Sequence, residues 1–267
     1  MHPLVAAILG LVEGITEYLP VSSTGHLILA SRLLKQEGEG VDSFDVVIQL
    51  GAILAVVVHY RRLLAERTAG LFKRDAKSIQ LLLALALGFA PTAVTGLLLR
   101  KSIKALLFSP GPIAAALIGG GIVMILIERY RAKNQVQGLV GLEHVTPKRA
   151  FFIGLGQCIS MWPGSSRSMC TIVSGQLTGL STATAAEFSF LLGLPTLGAA
   201  TLYEGYKARA ALSELGLTSV AIGLVVSFVV AWAVISWFIA FLQKKGLASF
   251  GVYRVLLGIV VLIVLAR

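Results

Sequence analysis

Apolar residues run along this chain in long blocks: Val46–Tyr60, Ile79–Leu99, Ile113–Ile127, Glu187–Leu202, Ser219–Leu242 and Val252–Ala266. A helix needs about 20 apolar residues to cross a hydrocarbon core, and the shorter blocks extend with mildly polar neighbours. None carries the polar face that a helix of a water-soluble bundle turns to solvent. The pattern predicts an all-α polytopic membrane protein with about six full transmembrane helices in a single domain, residues 1–267.

Two further segments, Pro3–Ala30 and Arg149–Thr178, are long enough to enter a bilayer but are broken midway. The breaks read Pro20-Val-Ser-Ser-Thr-Gly25 and Pro163-Gly-Ser-Ser-Arg-Ser168. Interrupted helices at membrane depth are tolerated where they line a cavity, so both are expected to be re-entrant helix–loop–helix hairpins. They also align with each other. Gly10-Leu-Val-Glu-Gly-Ile-Thr-Glu17 matches Gly154-Leu-Gly-Gln-Cys-Ile-Ser-Met161, Pro20 matches Pro163, and Asp45–Gly51 matches Glu187–Gly193, at offsets of 144, 143 and 142 residues. Three crossings between the hairpins would turn the second copy upside down. The expectation is an inverted repeat, roughly residues 1–128 and 146–267, with a shared site near the membrane middle.

Charge sets an orientation. Arg61–Lys77 holds six Lys/Arg, Glu128–Arg149 five, and Lys244 and Lys245 follow the fifth block. Alternating crossings put all three on one side, as loops that the positive-inside rule makes cytoplasmic. The Leu33–Asp42 and Arg100–Lys104 loops then face outward, and the first hairpin enters from outside. The net charge of +10 therefore belongs to loops between spans, which argues against a nucleic-acid partner. Charged residues are only 13% of the chain and mean hydropathy is +0.85, against about 25% charged in ordinary soluble domains. Residues 1–12 have no basic start and run directly into Glu13 and Glu17, so a cleavable signal is not expected. Cys158 and Cys170 fit neither a disulfide framework nor a metal-ligand spacing.

Some polar residues at membrane depth carry candidate chemistry. Glu13 and Glu17 lie four apart and so share a helix face. Two carboxylates in lipid call for a cation, a shared proton or both, unless they sit at the interface and are simply solvated. In Ser22-Ser23-Thr24-Gly25-His26 a hydroxyl and an imidazole stand near those acids, as a nucleophile and its acid–base partner require. The Ser-rich turn also reads as an ordinary N-cap. Around Ser166, Arg167 and Ser168, backbone N–H groups at a helix start and a guanidinium fork suit an anion. Alternatively Arg167 forms a structural pair with Glu13, Glu17 or Glu187. Gln49, Thr171, Glu187 and Arg254 are polar groups that also serve as helix-packing glue, and Arg254 is a candidate second phosphate contact. Together the groups suit phosphoanhydride hydrolysis. Walker A, HExxH and GxSxG patterns are missing.

Glu13-Gly-Ile-Thr-Glu17 followed by Leu19-Pro-Val-Ser-Ser-Thr-Gly-His26 closely resembles the first signature of the undecaprenyl pyrophosphate phosphatase family, the bacitracin-resistance membrane phosphatases. Pro163-Gly-Ser-Ser-Arg-Ser-Met-Cys-Thr171 is similar to its second signature, and Phe44–Val57 and Glu187–Pro195 extend the likeness over nearly the whole chain. The resemblance implies removal of the terminal phosphate of undecaprenyl diphosphate, which recycles the lipid carrier of cell-wall synthesis. It further implies a divalent cation (magnesium or calcium) and a bacterial inner-membrane site opening outward. By position, Glu13 and Glu17 would bind metal or act as base, and Ser23 or His26 would be nucleophile or activator. Arg167, with Ser22, Thr24, Ser166, Ser168 and Thr171, would hold the diphosphate. The aromatics Tyr18 and Trp162 beside the breaks could line the entry of the lipid head. A polyprenyl-phosphate transporter or flippase with the same anion site is the alternative, and a homodimer is left open.

Overall fold

The computed structural model describes residues 1–36, 38–107 and 109–265. Glu37 in the expected Leu33–Asp42 loop, the side chains of Arg100 and Lys104, and Ala266 lie outside the described residues. The chain is all-helical: α1 (Pro3–Thr16), α2 (Ser23–Leu33), α3 (Glu39–His59), α4 (Arg61–Phe72), α5 (Ala76–Leu107), α6 (Pro110–Lys133), α7 (Pro147–Cys158), α8 (Arg167–Leu177), α9 (Thr182–Lys207), α10 (Arg209–Glu214), α11 (Leu217–Lys245) and α12 (Ala248–Leu265). Single 3₁₀ turns at Leu142–His144 and Ile159–Met161 precede and follow α7.

Helix starts follow local chemistry. Proline occupies the first turn of α1, α6 and α7, where its missing N–H costs nothing. Thr146 and Ser181 cap α7 and α9 by accepting the N–H groups of Arg149 and Thr184.

Among the described residues, α3, α5, α6, α9 and α11 are long and apolar enough to cross a membrane, while the apolar part of α12 is shorter. That is five such helices where about six were expected. The protein is a multi-pass membrane protein on this evidence. Large apolar side chains cover its outside: Leu97 is 87% exposed, and Leu98, Val225 and Trp237 are also exposed. In water such a surface would associate; in lipid it is the solvated face.

Two expectations about loops change. Arg61–Phe72 forms helix α4, with no buried residue, rather than a loop. The Arg100–Lys104 stretch continues α5 instead of ending it. Charge density identified where the chain leaves the apolar layer, but Leu, Ala, Arg and Glu are good helix formers wherever they lie.

The first arm of each broken segment packs on a long helix through glycine. A Cβ on Gly10 of α1 would come 2.6 Å from the carbonyl oxygen of Gly223 on α11, and Gly154 of α7 meets the Gly88 carbonyl of α5 just as closely. Such small-residue contacts let helix backbones approach in lipid. Helix α12 lies along α6. These contacts bring the two breaks, residues 17–22 and 159–166, together inside the bundle.

Candidate active site

Each broken segment restarts its helix on a strained serine. Ser22 precedes α2 with φ 73°, and Ser166, 144 residues later, precedes α8 with φ 70°. A non-glycine residue in that region costs on the order of 1–3 kcal/mol and persists where its surroundings over-determine it. Both hydroxyls cap: Ser22 Oγ accepts from Gly25 N–H at 3.3 Å, and Ser166 Oγ from Met169 N–H at 3.2 Å.

Three links fasten one break to the other. Arg167, the first residue of α8, donates from Nη2 to Glu17 Oε1 at 2.8 Å. Ser168 donates to the Leu19 carbonyl at 2.8 Å. Arg254 on α12 donates to the carbonyls of Pro20 (3.2 Å), Gly164 (2.9 Å) and, on α6, Ala116 (3.0 Å).

Glu17 and Arg167 form the centre of this assembly. The other carboxylate oxygen, Glu17 Oε2, accepts the Ser23 hydroxyl at 2.7 Å, so Ser23, Glu17 and Arg167 form one continuous chain. Arg167 Nη1 reaches the carbonyl of Ser189 on α9 at 2.9 Å and its hydroxyl at 3.3 Å. The Tyr18 ring lies 5.6 Å from the guanidinium carbon. Thr171 Oγ1 lies 2.6 Å from Ser189 Oγ, and Ser166 Oγ 3.1 Å from Ser168 Oγ. Arg167 Nε has no partner.

One turn before Glu17, Glu13 is fully buried, and neither carboxylate oxygen has a hydrogen-bond partner. A lone buried carboxylate is costly by several kcal/mol. A further oxygen of Asp45 on α3 and the hydroxyl of Ser227 on α11 are likewise unpartnered. The described residues contain no group of three His, Cys, Asp or Glu placed to hold a metal ion.

Other expected residues take different positions. The Ser23–His26 pair does not form: Ser23 bonds to Glu17, while His26 bonds to the Ser22 carbonyl through Nδ1 and to Tyr253 through Nε2, both at 2.7 Å. Thr24 is half-buried in the first turn of α2. Arg254 is fully buried, and both its terminal nitrogens donate to backbone carbonyls, so it braces the two breaks and α6. Of Arg167's three possible acidic partners, Glu17 is the one bonded. Tyr18 is buried with its hydroxyl on the Ala52 carbonyl, so it lines no entry, whereas Trp162 is partly exposed and donates to the Pro112 carbonyl. Ser189 and Tyr253 were missed. Ser189 lies within the Glu187–Gly193 segment that the alignment of halves had already marked; Tyr253 is 227 residues from His26 and had no local signal.

A cavity of about 680 Å³, lined by residues that include Thr146, Lys148 and Ser174, opens beside the start of α7 and the end of α8, and no residue of the breaks lines it. The chemistry-bearing groups are elsewhere, enclosed between the breaks.

Fold and site together define an integral membrane protein in which two broken helices enclose buried carboxylates, hydroxyls and an arginine. The family model for bacitracin resistance protein BacA matches residues 6–260, and the chain belongs to that family. It is 54% identical over 259 residues to an undecaprenyl-diphosphatase of Sorangium cellulosum, covering 96% of this chain and 84% of that one. Undecaprenyl-diphosphatases of Rhizorhabdus wittichii (46% over 268 residues; 100% and 99% covered) and Deinococcus radiodurans (44% over 271 residues; 100% and 97% covered) are similar at full length.

Proposed function

We propose that this chain hydrolyses the phosphoanhydride bond of undecaprenyl diphosphate, yielding undecaprenyl phosphate and inorganic phosphate, and thereby confers bacitracin resistance. The observation that carries the reading is the Ser23–Glu17–Arg167 chain joining the two breaks beside the orphaned Glu13. The substrate is supported by the names of relatives 44–54% identical to it.

In the resting arrangement one Glu17 oxygen holds Nη2 of the guanidinium, where it stands in for a phosphate oxygen, and Nε is left without a partner. A planar fork binds two phosphate oxygens as it binds a carboxylate. The N–H groups of Arg167 and Ser168, in the first turn of α8, have no intrahelical acceptor and suit an anion. When the diphosphate takes the fork, Glu17 keeps the Ser23 hydroxyl and takes its proton as Oγ attacks the terminal phosphorus. The bond to undecaprenyl phosphate breaks and the lipid leaves. Water then cleaves the phosphoserine: His26, three residues along the same face of α2, takes the water's proton, and Glu17 returns its proton to the departing Ser23 oxygen.

A divalent cation, magnesium or calcium, would neutralise charge on the transferring and bridging oxygens. Glu13 and Glu17 would hold it. The two unpartnered oxygens of Glu13 support this, and a site with two carboxylates suits magnesium, which completes its shell with phosphate and water. The basic loops argue for a plasma-membrane protein whose first hairpin opens outward. Paired broken segments at near-constant offset support the inverted-repeat reading.

Phosphate release from a C55 diphosphate by the detergent-purified protein tests the activity. Steady release by the unsubstituted chain, falling about 100-fold in Arg167→Lys with the fork lost and the charge kept, is expected. Absence of release from well-folded protein would contradict the proposal and favour a lipid-phosphate carrier.

A further inference from the structure

His26 is held from two sides. Its Nδ1 lies 2.7 Å from the carbonyl oxygen of Ser22, which already accepts the His26 backbone N–H at 3.3 Å. A carbonyl only accepts, so Nδ1 carries the hydrogen and donates it. In the neutral ring that leaves a bare lone pair on Nε2, and the Tyr253 hydroxyl, 2.7 Å away, donates to it. The two rings are parallel within 6°, with centroids 5.6 Å apart.

Tyr253 can hold this position because its neighbour is fixed. Arg254, next along α12, is bonded to Pro20 of the first break, Gly164 of the second and Ala116 of α6. A Cβ on Gly120 of α6 would collide with that guanidinium, so the approach of α6 allows little other placement. The phenol is 45% exposed, at the rim, while Arg254 is completely enclosed. Two adjacent residues of α12 thus divide the work: Arg254 ties the breaks together, and Tyr253 presents a hydroxyl to the histidine next to them.

We propose that Tyr253 is a positioning residue for His26: its hydroxyl sets the ring plane by donating to Nε2, and turns to accept from that nitrogen once His26 has taken up a proton there. The proposal rests on the reading of His26 as the proton carrier of the second step, and it concerns a residue that never touches the reacting phosphorus. Loss of the hydroxyl leaves the ring contact and the Nδ1–Ser22 bond in place and leaves Nε2 without its partner.

The test uses Tyr253→Phe in the full-length protein, alone and combined with His26→Gln. Two readouts are needed, ¹⁵N-histidine NMR without substrate and steady-state phosphate release. His26 is one of four histidines, and its signals are assigned by their loss in His26→Gln. In Tyr253→Phe the Nε2 resonance is expected to move to that of an unbonded imidazole nitrogen. The kcat is expected to fall about tenfold, the worth of one hydrogen bond, with KM within about twofold. In the double variant the rate is expected to equal that of His26→Gln alone, because Tyr253 acts only through His26. An unmoved His26 resonance overturns the proposal, as does a tenfold loss that persists in the His26→Gln background. A raised KM at constant kcat also overturns it, since that places Tyr253 on the substrate. Because the resonance needs no turnover, a failure of the phosphatase reading is separable from a failure of this one.

Discussion

Glu13 of α1 and Gln157 of α7 occupy matching places 144 residues apart, each on the first arm of a broken segment and each 0% exposed. Their surroundings are opposite. Gln157 Nε2 donates to Thr92 Oγ1 of α5 at 2.8 Å, and its Oε1 accepts from Thr196 of α9 at 3.5 Å. Glu13 has no partner, and Ser227 on α11, the helix that α1 packs against, has an unpartnered hydroxyl too. The Gln157 side chain closes its hydrogen bonds within the protein, as a structural group in lipid must. Glu13 and the nearby Ser227 hydroxyl are left unmatched. The contrast supports the proposed reading in which the carboxylates of the first arm take part in the reaction.

Exchanging the two side chains breaks the comparison most directly. Glu13→Gln copies the second segment into the first. Phosphate release is expected to fall about 10²–10³-fold, with the melting temperature unchanged or raised because a buried charge is removed. A colourimetric phosphate assay and a thermal melt in detergent check both halves of that statement. The reverse change, Gln157→Glu, places an unmatched carboxylate in a satisfied network. It is expected to cost about 1–3 kcal/mol of stability, seen as a lower melting temperature, while the folded fraction keeps its turnover. A smaller effect is expected of Thr92→Val, which removes the acceptor of the Gln157 amide. A loss of about 1 kcal/mol and no change in kcat would sharpen the division, whereas a collapse of kcat would erase it.

Much of this was legible before any coordinates. The apolar blocks located the long helices because lipid leaves only helices or closed barrels as spanning structures. Pro20 and Pro163, each followed by serines, marked both breaks, and Glu13, Glu17, Ser23 and Arg167 were drawn from the residues around them. What could not be read was pairing. Ser23 and His26 are three apart, yet each bonds away from the other, because the α1–α2 turn brings Glu17 to Ser23 and α12 brings Tyr253 to His26. The bracing by Arg254 could not be read locally, because its three carbonyl partners come from the breaks and a helix far away in the chain. Helix α4 was hidden for a different reason: dense charge reports exposure to water and says nothing of backbone conformation.

The most direct test of the central claim, that the first segment's carboxylates work through a divalent cation on a lipid diphosphate, is phosphate release measured with chelator and again after adding back metal. Release by the unsubstituted chain is predicted to stop with chelator and return with magnesium or calcium, while Glu13→Gln stays inactive in every condition. Release that continues unchanged in excess chelator would contradict the account, and Glu13 would then need another explanation for being buried without a partner.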